Sequence, residues 1–448
     1  MTNSATTATT PPAEARAGWR WAPHWVLAFV ALWPAPGYAE AIGGLGALAA
    51  ICKLAATRVR GGAQLLSGPA WALTSVLFFA YWLPELLSAV GATDPGRTLR
   101  EALVDLRYLP FLWLVAIAVA DDRGRRLTFG GLAVIVAVWA VDALVEVVAG
   151  TSPLFWGIDA AKQAISGRPM CDLEELASAD RLGGVLGPCN LKLGPVLASL
   201  SPFALYAAGR RWCPSGWVVA APAIGIVIVF AGSRASWLTY GLVLLLSGWR
   251  LLGWKRLLAV FAGGVVATIA IGLASPEVRD RLERTTHALQ ASDTGVDVAL
   301  SGRMRIWSAA LCMVREQPVN GVGARGFREA FAGCDPEAGA PAAWGSGPAF
   351  HAHQIVLEVL SETGVVGLLL WLSGVALALR AWRYATVAAR ERARPAMLAL
   401  LVTVFPLNTH LAFYSTFWGA LTLLLAALYA GSLLARAPRQ PAADDAAR

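Results

Sequence analysis

Windows of about 20 predominantly apolar residues recur from one end of the chain to the other, a length that crosses the ~30 Å hydrocarbon core of a bilayer. They fall at 21–36, 40–57, 67–90, 105–120, 127–149, 184–208, 216–232, 235–249, 257–274, 354–379, 395–410 and 417–435. The first is cut short by Pro34-Ala35-Pro36-Gly37. The pattern predicts an all-α, polytopic integral membrane bundle of about twelve spans. One long polar insert, 275–353, divides the bundle into an N-terminal part, 18–274, and a C-terminal part, 354–435. The ends, 1–17 and 436–448, are polar and rich in small residues, and read as disordered tails. The first tail lacks an apolar run with a small-residue cleavage site, so no removable signal peptide is expected.

The polar loops then sort by charge. Arg16 and Arg20, Arg58 and Arg60, Arg123 to Arg126, Arg210 and Arg211, Arg250 to Arg256, Arg380 to Arg394, and Arg436 and Arg439 alternate with loops of the other face. Cytoplasmic loops carry the excess of Lys and Arg, so these loops and both termini are expected in the cytoplasm. An even span count agrees with two ends on one side. The outer face holds a short loop near 91–104, a longer one near 150–183, and the insert. Composition agrees with a membrane protein: of 448 residues 57% are hydrophobic and 15% charged, against about 25% charged in soluble domains. The abundant Gly and Ala allow close approach of helices in lipid.

Cysteine usage adds a compartment. Cys171, Cys189, Cys312 and Cys334 fall on or near the outer face, where an oxidising periplasm permits disulfides, and three pairings remain open. Cys52 and Cys213 fall near the cytoplasmic side and are expected free.

The outer face carries more cations than topology requires, among them Arg181, Lys192, Arg234, Arg303, Arg305 and Arg325. A cation inside an apolar helix costs ~2.5–3.5 kcal/mol at mid-membrane. Any one of them can snorkel to lipid phosphate. A set converging on one face instead suits a diphosphate, whose oxygens match the planar guanidinium fork. Arg234 is the clearest case, in the tight reversal Gly232-Ser233-Arg234-Ala235 between two spans.

Within the insert, 277–289 reads as an amphipathic helix, and Ser301-Gly302-Arg303 opens a second that runs to Glu316. Arg303 and Trp307 are four apart and share a face. Pro318 ends that helix, and Asn320 to Phe327 form a glycine-rich turn. Gly321 and Gly323 lack a following GKS/T and a preceding strand, so a nucleotide site is rejected. The insert ends in His351-Ala352-His353-Gln354, after which an apolar run opens with Glu358 and Glu362. His353 is expected at a helix N-terminus, whose unpaired N–H groups disfavour imidazolium and favour a nearby anion. It is therefore expected neutral and able to accept a proton, with His351 as its neighbour. His-x-His supplies two ligands at most, so no metal site is expected. Asp121 and Asp122 fall on the opposite face.

These motifs resemble a known family. SGRMRIWSAALCMVREQPVNGVGARGF followed by HAHQIVLEVLSETGVVGLLL is similar to the signature of the O-antigen ligase and polymerase superfamily. There an S/T-G-R-x-x-x-W helix, a P-x-x-G-x-G turn and an H-N-x-x-L helix start recur in this order. RLGGVLGPCNLKLGPVLA and GSRASWL resemble two upstream family stretches, so the likeness spans about 181–370. Gln354 stands where Asn is usual, and Cys189 intrudes before Asn190. The resemblance implies a C-type, lipid-linked glycosyltransferase fold with no cofactor, an undecaprenyl-diphosphate-linked glycan as donor and, in ligases, a sugar hydroxyl of lipid A-core as acceptor. It maps the essential residues onto His353, Arg234 and Arg303. Arg181, Lys192, Arg305, His351 and Gln354 are expected as substrate contacts. Membrane lipid is an expected partner and nucleic acid is not. A polymerase and a protein O-oligosaccharyltransferase share the chemistry. A lipid-linked glycan transporter is a rival of another class, but internal repeats and broken midplane helices, its usual marks, are not evident.

Overall fold

The computed structural model describes residues 19–172, 181–274, 302–342, 347–409 and 412–435, with the single positions 279, 283 and 344. The expected tails, and nearly all of the expected helix at 277–289, lie outside the described residues. The described chain is helical: α1 (Ala22–Ala31), α2 (Pro36–Val59), α3 (Gly68–Leu87), α4 (Pro95–Asp105), α5 (Tyr108–Ala118), α6 (Asp122–Ala149), α7 (Pro153–Ser166), a 3-10 turn at Gly184–Leu186, then α8 (Leu193–Arg211), α9 (Cys213–Phe230), α10 (Arg234–Leu252) and α11 (Trp254–Ala274). The insert contributes α12 (Arg303–Glu316) and α13 (Phe327–Cys334), and α14 (Ile355–Tyr384), α15 (Val387–Thr403) and α16 (Thr416–Leu433) complete the bundle.

Among the described residues seven helices are long and apolar enough to cross a membrane: α2, α3, α6, α10, α11, α14 and α16. The chain is a multi-pass membrane protein. Two of the twelve apolar windows hold shorter helices than the pattern suggests. α1 has 10 residues and α5 has 11, about 15–17 Å of rise, roughly half the hydrocarbon thickness. Pro34 and Pro36 end the first, and the second follows α4 through a two-residue bend at Leu106-Arg107. The window at 184–208 also shortens. Its glycine-rich start folds as the 3-10 turn, and α8 begins at Leu193.

The core is layered around α16, whose residues are almost all buried. α3, α5 and α15 pack against it. α8 is a second central helix, flanked by α6, α9, α10 and α15. α11 lies at the rim with 11% of its apolar window buried. A separate small core of Ile306, Ala309, Met313, Phe327 and Phe331, with Ala352, holds the insert together.

One joint seats the insert on the bundle. α14 is broken at Gly364, whose φ of 65° and ψ of −170° only glycine adopts readily. The break frees backbone groups that would otherwise bond within the helix. Val322 and Gly323 N–H donate to the Ser361 and Glu362 carbonyls, both at 2.9 Å, while Val365 and Val366 N–H donate to Pro318 and Val319, at 2.9 and 3.3 Å. The glycine-rich turn thus zips onto α14 through its backbone. Gly321 allows the approach, because a Cβ there would lie 2.4 Å from the Glu362 carbonyl carbon.

Two disulfides, Cys171–Cys189 and Cys312–Cys334, pin the loops that carry them. They resolve the three open pairings into one. Cys52 is free and exposed.

Candidate active site

Three segments converge at one end of the bundle. The first is the reversal between α9 and α10. Gly232 takes a φ of 69°, and Ser233 caps α10, its hydroxyl accepting from Ser236 N–H at 3.2 Å. Arg234 is therefore the first residue of α10. The second segment carries Arg181. Leu182 N–H donates to the Phe230 carbonyl at 3.5 Å, laying the segment beside that reversal. Glu146 of α6 accepts from Gly184 N–H at 2.6 Å and fixes it from below. The third is the start of α12. Gly302 sits in the left-handed region (φ 75°), which allows the chain to enter the helix with Arg303 as its first residue. One turn on, Trp307 Nε1 donates to the Ala352 carbonyl at 3.1 Å. Because residues 303 and 307 share a face, this bond carries Arg303 to His353.

His353 itself has φ 54°, a left-handed conformation uncommon outside glycine. Its Nδ1 lies 3.1 Å from the Thr409 carbonyl. A carbonyl only accepts, so the ring proton sits on Nδ1 and Nε2 keeps its lone pair. Burial, then the positive charge of Arg303, pushes the His353 imidazole down to about 4, against a smaller opposing pull from the Thr409 bond. The imidazole is neutral near pH 7, as expected, but the cause differs: desolvation and a guanidinium act, rather than a helix terminus alone. The helix end is partly occupied by Gln354, whose side-chain oxygen accepts from Leu357 N–H at 2.6 Å as the N-cap of α14. The His351 and His353 rings lie 3.9 Å apart between centroids, tilted at 46° to one another. Burial, then the charges of Arg234 and Arg181, pushes the Arg303 guanidinium down to about 10. Guanidiniums grouped in this way present several N–H donors to an anion.

A cavity of about 950 Å³ opens beside this cluster. His351, His353 and Lys192 line it, together with Trp418 and Pro34 to Tyr38 at the start of α2. Lys192 precedes α8, with its Nζ 4.7 Å from the Phe417 ring centre. The structure thus brings together Arg181, Arg234, Arg303, His351 and His353, with Lys192 on the adjoining wall.

Arg305 is placed elsewhere, against the expectation of a substrate contact. Two residues on from Arg303 is about 200° round the helix. Its guanidinium makes a bidentate pair with Asp335 (2.7 and 2.6 Å), donates to the Glu337 and Ala340 carbonyls and stacks on Trp344. It clasps the insert's own fold. Asp121 caps α6 through Gly124 N–H at 2.7 Å, and Asp122 pairs with Arg125. Among the described residues the one close grouping of metal-ligand types is Cys312, Glu316 and Cys334, and its two sulfurs form a disulfide.

Sequence reasoning missed a second charged cluster. Arg325 (φ 61°) pairs with Glu101 and with Asp105 at 3.2 Å, and its Nε donates to the Tyr414 carbonyl at 2.5 Å. Its backbone N–H donates to Glu362 at 2.8 Å, and Glu358 accepts from Tyr414 N–H at 3.3 Å. The signal was present in Glu358 and Glu362, two acids one turn apart in an otherwise apolar helix. The cluster fastens α4, the glycine-rich turn, α14 and the segment before α16 behind His353.

A family model described as O-antigen ligase matches residues 218–372. The match covers about a third of the chain and supports the O-antigen ligase superfamily for that part of it. No curated protein matches the chain. The O-antigen ligase match contains Arg234, Arg303, His353 and the Gly364 joint, and leaves Arg181 and Lys192 outside it. Activity of the superfamily's ligase and polymerase type follows in general terms.

Proposed function

We propose that this protein is an O-antigen ligase. In this reading it moves a glycan from undecaprenyl diphosphate to a sugar hydroxyl of lipid A-core, at the periplasmic face of a bacterial inner membrane, on a bundle of about twelve spans of C-type glycosyltransferase kind. The observation that carries the reading is the neutral His353, with Nε2 available, lining a large cavity beside a group of half-buried guanidiniums. The two disulfides on this side support an oxidising compartment.

The chemistry is a direct displacement. The acceptor hydroxyl attacks the anomeric carbon while His353 Nε2 takes its proton. The new C–O bond forms as the bond from the anomeric carbon to the diphosphate oxygen breaks. The leaving undecaprenyl diphosphate departs as an anion and needs no acid. Arg234 and Arg303, with Arg181 behind them, offset the charge that grows on it. The anomeric configuration inverts. His351 packs its ring against the base and Gln354 caps the helix that follows it. Lys192 serves the phosphate-bearing part of a substrate lying in the cavity. The insert, 275–353, acts as the catalytic part, between bundle segments 18–274 and 354–435.

The test is transfer by purified protein, without ATP or an ion gradient, offered lipid A-core, a second lipid-linked glycan, and a serine peptide in turn. Transfer to lipid A-core is expected, abolished in His353→Ala while that variant remains inserted and folded. Product with the second lipid-linked glycan alone would make the protein a polymerase. A His353→Ala variant as fast as wild type would remove the base.

A further inference from the structure

The opposite end of the bundle carries a second cationic hollow that the transfer chemistry leaves unused. α10 starts at Arg234, and Arg250 lies about 24 Å further along its axis. There α8, α10 and α15 meet around a cavity of about 390 Å³. Its inner wall is apolar, with Trp217, Leu246 and Leu251, and its rim carries Tyr206, Arg210, Arg250, Arg394 and one acid, Glu391. A neighbouring hollow of about 290 Å³ shares Tyr206, Leu246 and Arg394 and continues past Trp249 to Arg390.

Charge and depth both bear on what fits there. Glu391 accepts from Arg394 at 3.0 and 2.5 Å and from Arg250 at 3.4 Å. Three guanidiniums and one carboxylate leave a surplus of two positive charges on the rim. Trp212, Trp249 and Trp254 stand 61, 53 and 64% exposed at the same end of α8, α10 and α11. Exposed indoles gather at the level of lipid headgroups. The neighbouring flank, formed by α11, is the least enclosed of the candidate spans, so lipid has lateral access.

Arginines at this end have an ordinary explanation. Arg210 and Arg250 lie in the last turns of α8 and α10, where cations suit the helix dipole. It covers Arg390 as well, which donates to the Arg383 and Ala385 carbonyls at the end of α14; it does not extend to Arg394, which falls near the start of α15, against the dipole. Nor does it explain an apolar-walled hollow between them.

We propose that this cleft binds the phosphate headgroup of an anionic membrane phospholipid, Arg210 and Arg250 facing the phosphate and the acyl chains following the Leu246–Leu251 wall. Basic pockets between membrane helices select such headgroups. The site is separate from the transfer reaction and stands or falls without it.

The experiment is native mass spectrometry and thermal unfolding of the purified full chain. The protein is equilibrated with micelles containing phosphatidylglycerol, with phosphatidylcholine alone, or with millimolar inorganic phosphate. One phosphatidylglycerol per chain should be retained and should raise the melting temperature, whereas phosphatidylcholine and inorganic phosphate should do neither. The Arg210→Gln/Arg250→Gln double variant should bind about tenfold or more weakly, and Arg250→Lys, which keeps the charge, should still bind. Equal retention of phosphatidylcholine by wild type, or equal phosphatidylglycerol retention by the folded double variant, would overturn the proposal. Protection by inorganic phosphate alone would reduce the cleft to a simple anion site and overturn it as well. The wild-type comparison decides the matter even if the double variant fails to fold.

Discussion

Replacing Gly364 by alanine should cost the protein a large part of its stability. The added Cβ would fall 2.1 Å from the Val319 carbonyl oxygen and 2.3 Å from its carbon. Both are backbone atoms of the turn zipped onto α14, so no side chain can swing aside. The φ of 65° with ψ of −170° adds ~1–3 kcal/mol of strain for any residue with a Cβ. Relief requires the turn to back away, weakening four backbone hydrogen bonds of 2.9–3.3 Å, each contributing about 0.5–1.5 kcal/mol. Partial loss of these bonds plus the strain gives a destabilisation of ~3–6 kcal/mol, against a typical total of ~5–15 kcal/mol. Gly130→Ala is the matched control, since nothing lies within 4 Å of its added carbon. Thermal unfolding in detergent, followed by tryptophan fluorescence, should show Gly364→Ala melting at least about 5 °C below wild type, with Gly130→Ala unchanged or slightly raised. A Gly364→Ala protein that melts with wild type would refute the backbone joint as the seat of the insert.

Other perturbations separate roles that the sequence left together. Arg303→Lys keeps the charge but loses the fork, and transfer should fall by about 100-fold with the folded yield unchanged; full activity would mean that charge alone suffices. Arg305→Gln should lower the melting temperature while leaving the rate per folded molecule intact, because its partners are Asp335 and insert carbonyls; a rate loss without a stability loss would restore it as a substrate contact. Cys171→Ser/Cys189→Ser should cost ~2–4 kcal/mol, read by denaturant unfolding with and without reductant, and reductant should have less effect on the variant than on wild type. His353 makes stability pH-dependent. The unfolded imidazole protonates near 6.5 and the folded one near 4, so the unfolded chain binds more protons between these values. Stability therefore falls as pH drops through this window, and His353→Asn, which tolerates the left-handed backbone, should flatten that slope in pH-dependent melting.

Much of the architecture was legible because lipid imposes it. An apolar run of sufficient length must be helical to satisfy its backbone, and α2, α3, α6, α10, α11, α14 and α16 stand where hydropathy put them. Helix ends set by local chemistry were also readable, as at Ser233 and Gly302. What hydropathy could not resolve depended on partners distant in sequence. The break in α14 follows from the turn at 318–323 lying against it, and an apolar window records no such neighbour. Arg303 and Arg305 looked alike until helical phase and the Asp335 partner parted them. Arg325 read as one more insert cation, although Glu101, Asp105 and Glu362 close around it from two elements. The cysteine pairs needed coordinates, since spacing alone permits three arrangements.

The account rests on an uncharged imidazole at residue 353 held beside the Arg303 guanidinium. Nuclear magnetic resonance of ¹⁵N-histidine-labelled protein, with His353 assigned by its absence in His353→Asn, reads that ionisation without reference to activity. A titration midpoint of about 4 is predicted in wild type, with a clear upward move in Arg303→Gln. A midpoint near the ordinary 6.5 in both proteins would contradict it.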